Sequence, residues 1–192
     1  MNSAAFLKTL TLMTVVGLIA VGCIARGDTM PNDEIVQYDQ ALLQFKGDAA
    51  GIDVGLDRFR ESFADLASDE IGAFMTSLYA EDLYFNDTLH TFRRRQDLVD
   101  YMVRTGSSLS ESKVEIKQVM SDGADVFVRW TMTFRTRALG RDINSESIGM
   151  THLRFNADGE VVLHQDFWDS GHALYAHLPF VGFAVRRARD RM

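Results

Sequence analysis

The chain reads as an α+β protein, a curved antiparallel sheet wrapped around N-terminal helices with an internal pocket and a C-terminal helical tail. Three observations predict this. Apolar residues recur at helical spacing between residues 56 and 78. From residue 113 to 168 the pattern switches to long stretches of period-two alternation broken by turn signals at Asp122-Gly123, Gly140 and Asn156-Ala-Asp-Gly159. Residues 180–191 then return to helix-compatible composition after Pro179. Helices followed by a run of strands is the order of an α+β domain, and long twisted strands curling around two or three helices form a cone with a cavity inside.

Taken in order, residues 1–23 carry one charge, Lys8, and an apolar run over residues 10–21. That run is short for a membrane span of about 20 residues and has the length of a signal-peptide core. Residues 24–54 are polar and interrupted by Gly27, Pro31, Gly47, Gly51 and Gly55 at their end, which reads as a tether with one short amphipathic helical piece over residues 34–45. The domain proper is expected over residues 55–192. Leu56, Phe59, Phe63 and Leu66 mark its first helix; Ser68, Asp69 and Glu70 open a second with Ile71, Phe74, Met75 and Leu78 inward. A short strand pair, or a strand and loop, covers residues 83–92. A third helix spans residues 96–105, with Leu98, Val99 and Met102 inward and Gly106 beyond its end.

The strands follow. Val114 and Ile116 alternate with Lys113, Glu115 and Lys117, so that strand has one wet face. Val126, Val128, Trp130, Met132 and Phe134 share a face opposite Arg129, Thr131, Thr133 and Arg135. Trp130, Met132 and Phe134 form the most continuous apolar face, and so read as core and pocket wall. In the last strand, alternation places His164, Asp166 and Trp168 together and Leu163, Gln165 and Phe167 opposite. A histidine and an acid among aromatics are costly to bury unless partnered, which makes this the first place to expect chemistry.

With 192 residues and a net charge of −7, the chain is large enough for a real core and too acidic for nucleic acid to be its main partner. Arg186, Arg187, Arg189 and Arg191 form its basic cluster, readable as a solvated helix end or as a binding patch. Cys23 is the only cysteine and cannot form an internal disulfide. It ends the sequence Ala20-Val-Gly22-Cys23, which resembles the lipobox of bacterial lipoproteins. The resemblance implies export, lipidation of Cys23, and a membrane-anchored protein facing the periplasm, on the outer membrane because Ile24 is not the aspartate of inner-membrane retention. Alanine at the first box position departs from the usual leucine and leaves ordinary secretion or an uncleaved anchor open.

Over residues 56–191 the order of elements resembles the nuclear transport factor 2-like superfamily and its SnoaL-like branch. The resemblance rests on Leu78-Tyr-Ala-Glu-Asp-Leu-Tyr-Phe-Asn-Asp-Thr-Leu-His90, His164-Gln-Asp-Phe-Trp-Asp169 and Ala173-Leu-Tyr-Ala-His-Leu-Pro-Phe-Val-Gly182. It implies a pocket at the cone mouth and commonly a homodimer, but no single activity, because the fold hosts isomerases, hydrolases, dehydratases and binders. By similarity to limonene epoxide hydrolase, Asp166 falls on the water-activating aspartate and Tyr84 and Asn86 on the residues that help hold the water. That enzyme's middle-strand arginine and aspartate fall on Met132 and Phe134, so half of the relay is missing. By similarity to ketosteroid isomerase, Asp87 falls near the proton-shuttling aspartate, while Phe59 and Phe63 stand where a tyrosine donor belongs and Thr151 or Ser147 where the protonated acid belongs.

The candidate catalytic residues are therefore Asp166, Asp87, His90 and His164, and the candidate pocket is Tyr84, Asn86, Trp130, Met132, Phe134, Phe167 and Trp168. Each has a plainer reading: Asp166 paired to Arg93 or Arg154, Asp87 and His90 as turn formers, His164 at a solvent-facing strand end, and Asp169 as a helix cap. No metal or cofactor is expected, since His90, His152, His164 and Asp166 lack local ligand spacing. The expected ligand is a small apolar or amphipathic molecule. Against this binder stand an acid/base enzyme using Asp166 or Asp87, and a structural or dimerisation module.

Overall fold

The computed structural model describes residues 33–138, 141–177 and 181–191; the segment holding Cys23 and the apolar start lies outside the described residues. The chain divides into two compact units, residues 1–37 and 38–192. Of the first, the described residues 33–37 are helical. They open helix α1 (Asp33–Gln44), whose remainder belongs to the second unit.

In that second unit a 3-10 turn (Ala49–Gly51), capped by Asp48 Oδ1 accepting from Ala50 N, leads into α2 (Ile52–Phe63) and α3 (Ile71–Leu78). Strands β1 (Tyr79–Asn86) and β2 (Thr91–Arg94) follow, then α4 (Arg95–Ser107) and the long strands β3 (Leu109–Asp122), β4 (Asp125–Ala138), β5 (Arg141–Phe155) and β6 (Val161–Trp168). The tail is α5 (Ser170–Ala173), a 3-10 turn (Tyr175–His177) and α6 (Val181–Arg189). Among the described residues no helix is long and apolar enough to cross a membrane.

The sheet is curved and unclosed, with order β2-β1-β6-β5-β4-β3. Every pairing is antiparallel except β1 with β6, which run parallel. Its inner face packs on α2, α3 and α4 through Leu56, Phe59, Met75, Leu78, Leu98 and Met102, which meet Val126, Val128, Leu153 and Phe155 from the strands. Burial of such side chains, at about 1.5–3 kcal/mol each, is the main favourable term. The helices come close to the sheet where a side chain is missing: a Cβ on Gly55 would lie 2.2 Å from the Phe155 ring.

The outer face is covered in part by the α1 residues from Tyr38 onwards, which corrects residues 38–54 of the tether expected over 24–54; residues 24–32 lie outside the described residues. From Tyr38 onwards the chain is a packed element. Ala41 is fully buried against Tyr84 and Leu163, with Tyr38, Leu42 and Phe45 around them. A chain of polar contacts fastens the helix. Tyr38 Oη lies 2.6 Å from His152 Nδ1, His152 Nε2 lies 2.6 Å from Asp125 Oδ1, and Arg154 Nε donates to the same oxygen at 2.5 Å. Arg154 Nη1 also donates to the carbonyls of Leu42 and Phe45, each at 2.8 Å, satisfying acceptors that the end of the helix leaves open.

Candidate active site

Strand alternation sets the site. On β6, His164, Asp166 and Trp168 point inward; on β5 the register pairs Thr151 with Asp166 and Gly149 with Trp168. Trp130, Met132 and Phe134 of β4 continue the same face, and Phe59 and Phe63 of α2 with Tyr101 and Met102 of α4 close it from the helix side. Between them lies a cavity of about 230 Å³. A Cβ on Gly149 would sit 2.3 Å from the Trp130 ring. The glycine thus lets the indole lie across β5, where its Nε1 donates to Thr151 Oγ1 at 2.8 Å.

Asp166 is the end of a buried relay. Thr151 Oγ1 donates to Asp166 Oδ1 at 2.5 Å, His164 Nε2 lies 3.0 Å from that oxygen, and Tyr79 Oη lies 2.8 Å from His164 Nδ1. Tyr79 is fully buried, and burial, reinforced by the Asp166 and Asp87 charges, pushes its phenol far above the ordinary tyrosine range. It therefore keeps its proton, and in the tautomer that leaves Nδ1 bare it donates to that nitrogen. That makes Nε2 the protonated nitrogen of His164, which donates to Asp166. The imidazole is 1% exposed and is held by aromatic neighbours, with ring centroids 4.6 Å from Phe85 and 5.7 Å from Phe63.

The donors to Asp166 from the described residues both meet Oδ1, while its side chain lines the cavity. The arginines expected as partners are engaged elsewhere: Arg93 lies over the Tyr84 ring, 4.6 Å from its centroid, and Arg154 holds Asp125. None of the 20 lining residues is Lys, Arg or His. The Asp166 carboxyl thus faces an apolar cavity whose lining holds no basic side chain.

Asp87 lines the same cavity, with both carboxyl oxygens already accepting hydrogen bonds. Its Oδ1 accepts from Leu89 N at 2.9 Å and His90 N at 2.7 Å, and its Oδ2 accepts from Tyr101 Oη at 2.5 Å. Trp168 Nε1 donates to the Asp87 carbonyl at 2.8 Å, tying this loop to β6. The loop also holds Thr88 at φ 71°, a left-handed conformation that strains a β-branched residue. Burial and the Asp87 charge raise the Tyr101 phenol, so it too stays a donor.

The remaining candidates lie elsewhere. His90 is exposed and packs its ring 4.7 Å from Tyr101, outside the cavity lining. Tyr84, Asn86 and Phe167 are corrected to the outer face. Tyr84 Oη donates to Gln165 Oε1 at 2.7 Å, Gln165 Nε2 donates to Asn86 Oδ1 at 3.3 Å, and Phe167 stands edge-on to Tyr38 with 46% of its surface exposed. On the cavity side stand Phe85 of β1 and Asp87 just beyond its end, one residue out of step, and a one-residue shift exchanges the faces of a strand. Asp169 caps α5, accepting from His172 N at 2.9 Å. The sequence reading missed Tyr79 and Tyr101. Tyr79 is 85 residues from its histidine, with no local signal; Tyr101 follows Leu98 by three positions and could have been read from helical period. His90, His152 and His164 occupy three separate environments, and among the described residues no group of three or more His, Cys, Asp or Glu is arranged to hold a metal.

An LEH-like epoxide hydrolase from M. tuberculosis superposes with TM-score 0.52 at 16% identity, over 66% of this chain and 87% of the hydrolase. A candidate SnoaL-like polyketide cyclase from Shewanella putrefaciens CN-32 gives TM-score 0.53 at 17% identity, over 62% of this chain and 91% of its own. An NTF2-like protein of unknown function from Exiguobacterium sp. 255-15 gives 0.50 at 19%, over 60% and 98%. At these identities the likeness establishes the fold and not the chemistry. No curated protein matches the chain significantly in sequence. The profile of the SnoaL-like domain family, however, matches residues 56–164, from the first cavity-lining helix to the relay histidine, and the chain belongs to that family.

Proposed function

We propose that the domain binds a small, uncharged, predominantly apolar molecule in the inner cavity, and that Asp166 moves a proton on it while Thr151 and the Tyr79–His164 pair hold the carboxylate in place. The observation that carries this reading is Asp166 itself, a carboxyl held by Thr151 and His164 at the wall of an apolar cavity whose lining holds no Lys, Arg or His. A carboxyl kept by two hydrogen-bond partners at the wall of an apolar cavity is placed where a proton-transfer group would stand. The lining also sets the ligand class. With two aspartates and no Lys, Arg or His it repels carboxylates and phosphates. Its volume exceeds the roughly 150 Å³ that accommodates benzene and falls below the ~300–1,000 Å³ of drug-sized sites, which suits one or two rings.

In the proposed step Asp166 accepts a proton from an acidic carbon of the ligand, and the same carboxyl returns it to another atom of the ligand or to water. Activation of water in the manner of the epoxide hydrolase is disfavoured, because Met132 and Phe134 line the wall where its arginine and aspartate would be needed and Tyr84 and Asn86 face away. The test is native mass spectrometry of protein from its own host to identify a retained molecule. It is joined to an exchange assay in D2O, in which a panel of uncharged cyclic β-dicarbonyl compounds is followed by NMR with wild type and Asp166→Asn. Exchange that falls by about 10²–10⁴ in the variant, with binding kept, supports proton transfer. Binding without exchange in the wild type leaves a carrier and overturns the catalytic half.

The same reading places the protein outside the cytoplasm, anchored through an acylated Cys23 on the periplasmic face of the outer membrane and paired as a homodimer. The support is the apolar segment at residues 10–21 followed by a small-residue run and the lone cysteine. Incorporation of radiolabelled palmitate by wild type but not by Cys23→Ser tests the anchor, and sedimentation equilibrium tests the dimer.

A further inference from the structure

We infer that α6 (Val181–Arg189) and the residues after it form a docking surface for an anionic lipid membrane. The helix contributes little to the core: Gly182 is its buried residue, while Phe183 is 64% exposed and Val181 45% exposed. Two arginines fasten it to the tail. Arg186 Nη1 donates to the Ala176 carbonyl at 2.5 Å, and Arg189 Nη1 pairs with Asp169 Oδ2 at 2.7 Å, holding that carboxyl below the usual aspartate range. Arg187 and Arg191 are exposed and have no described partner.

Helical spacing places Arg186 and Arg187 three and four positions after Phe183, on one side of the helix; the acids beside the helix are Asp190, which follows its last turn, and Asp169, which is paired to Arg189. The Arg186 guanidinium meets a neutral carbonyl, so its charge is not cancelled. A large exposed aromatic set among uncancelled arginines is the pattern of an interfacial helix, which inserts an apolar side chain at the headgroup level while its cations meet anionic lipid. The charge distribution supports a local surface: four arginines fall within the last seven residues of a chain whose net charge is −7. Nucleic acid fits less well, because the body of a domain in a chain of net charge −7 repels a long polyanion.

The test uses the full chain in a Cys23→Ser background with Ala184→Cys, an exposed position, carrying an environment-sensitive fluorophore. The label reads the surroundings of α6 itself, whatever the N-terminal segment does. A blue shift is expected on vesicles of phosphatidylcholine and phosphatidylglycerol at 7:3, none on phosphatidylcholine alone, and reversal near 0.5 M salt, where charges about 10 Å apart are screened. Arg187→Gln with Arg191→Gln should raise the lipid needed for half-maximal shift by roughly 10- to 30-fold, and Phe183→Ser should reduce the size of the shift. All three positions are exposed, so thermal melting should be unchanged. Equal spectra on the two vesicle types, a shift indifferent to the arginines, or a shift produced instead by a short RNA would each overturn the inference.

Discussion

Two Tyr–His–Asp chains lie on opposite faces of the same sheet, and they differ in what meets the aspartate. On the outer face Tyr38, His152 and Asp125 end on Arg154, a cation that also caps α1. On the inner face Tyr79, His164 and Asp166 end on Thr151, a neutral hydroxyl, beside a cavity. The order of residue types is the same. Arg154 holds the Asp125 carboxyl below the usual range and turns that chain into a clamp. The constellation alone therefore does not mark a site; the surroundings of its last carboxylate do.

The sharpest way to break this comparison is to neutralise both acids in turn. Asp166→Asn keeps an oxygen for Thr151 and removes the base, so exchange should fall by about 10²–10⁴ while stability stays within about 1 kcal/mol. Asp125→Asn should leave exchange unchanged and lower stability. Equal loss of exchange in both variants would mean that the two chains are not functionally distinct.

A second, smaller effect concerns the clamp alone. Arg154→Met removes the ion pair with Asp125 and both donors to the end of α1, and should cost about 2–3 kcal/mol in urea unfolding. Amide exchange over residues 38–44 should quicken more than that of β5. If α1 keeps its protection, the apolar contacts of Ala41 and Leu42 hold it and the polar chain is incidental.

How far the sequence revealed this arrangement depends on whether an element is wet on one side. β4 has Arg129, Thr131, Thr133 and Arg135 on its outer face, so alternation identified Trp130, Met132 and Phe134 as the inner wall. β1 is buried on both faces from Leu83 to Asn86, because α1 covers the outside. Alternation is then silent, and Tyr84 and Asn86 were read as pocket when Phe85 and Asp87 face it. The pocket reading of Tyr84 and Asn86 came from the similarity to the epoxide hydrolase, which alternation on a strand buried on both faces could not check. On β6 the shared face of His164, Asp166 and Trp168 was legible, but the partners that make it a relay, Tyr79 and Thr151, come from other strands. Helix ends were less legible. Gly106 reads as a stop, yet α4 runs through it to Ser107, because a Cβ there would lie 2.5 Å from the Leu66 carbonyl and glycine is needed for contact.

The two tyrosines provide a third comparison. Tyr79→Phe leaves His164 Nδ1 buried without its donor, which should cost about 1–3 kcal/mol and slow exchange roughly tenfold as the ring loses its fixed orientation. Tyr38→Phe removes a similar bond from a half-buried position, where water can replace it, and should cost about 1 kcal/mol or less with no change in exchange.

The smallest expected effect is in the pH dependence, and its sign distinguishes the clamp. Burial lowers the pKa of His152 below the ordinary 6.5 although Asp125 pulls the other way; Arg154 also lowers it. A base whose folded pKa is depressed contributes stability that is complete above the unfolded pKa, and that is lost as pH falls from about 6.5 towards the folded value. Asp125, whose pKa is also lowered, keeps its full contribution above about pH 3.8 and loses it only as pH falls from there towards the folded value, so it does not act in that window. Urea midpoints should therefore fall between pH 7 and pH 5 in the wild type, and fall less in His152→Gln, in which the other histidines remain to be subtracted. An unchanged slope in the variant would show that His152 is not the group whose protonation loosens the outer chain, and would leave Arg154 alone as its fastening.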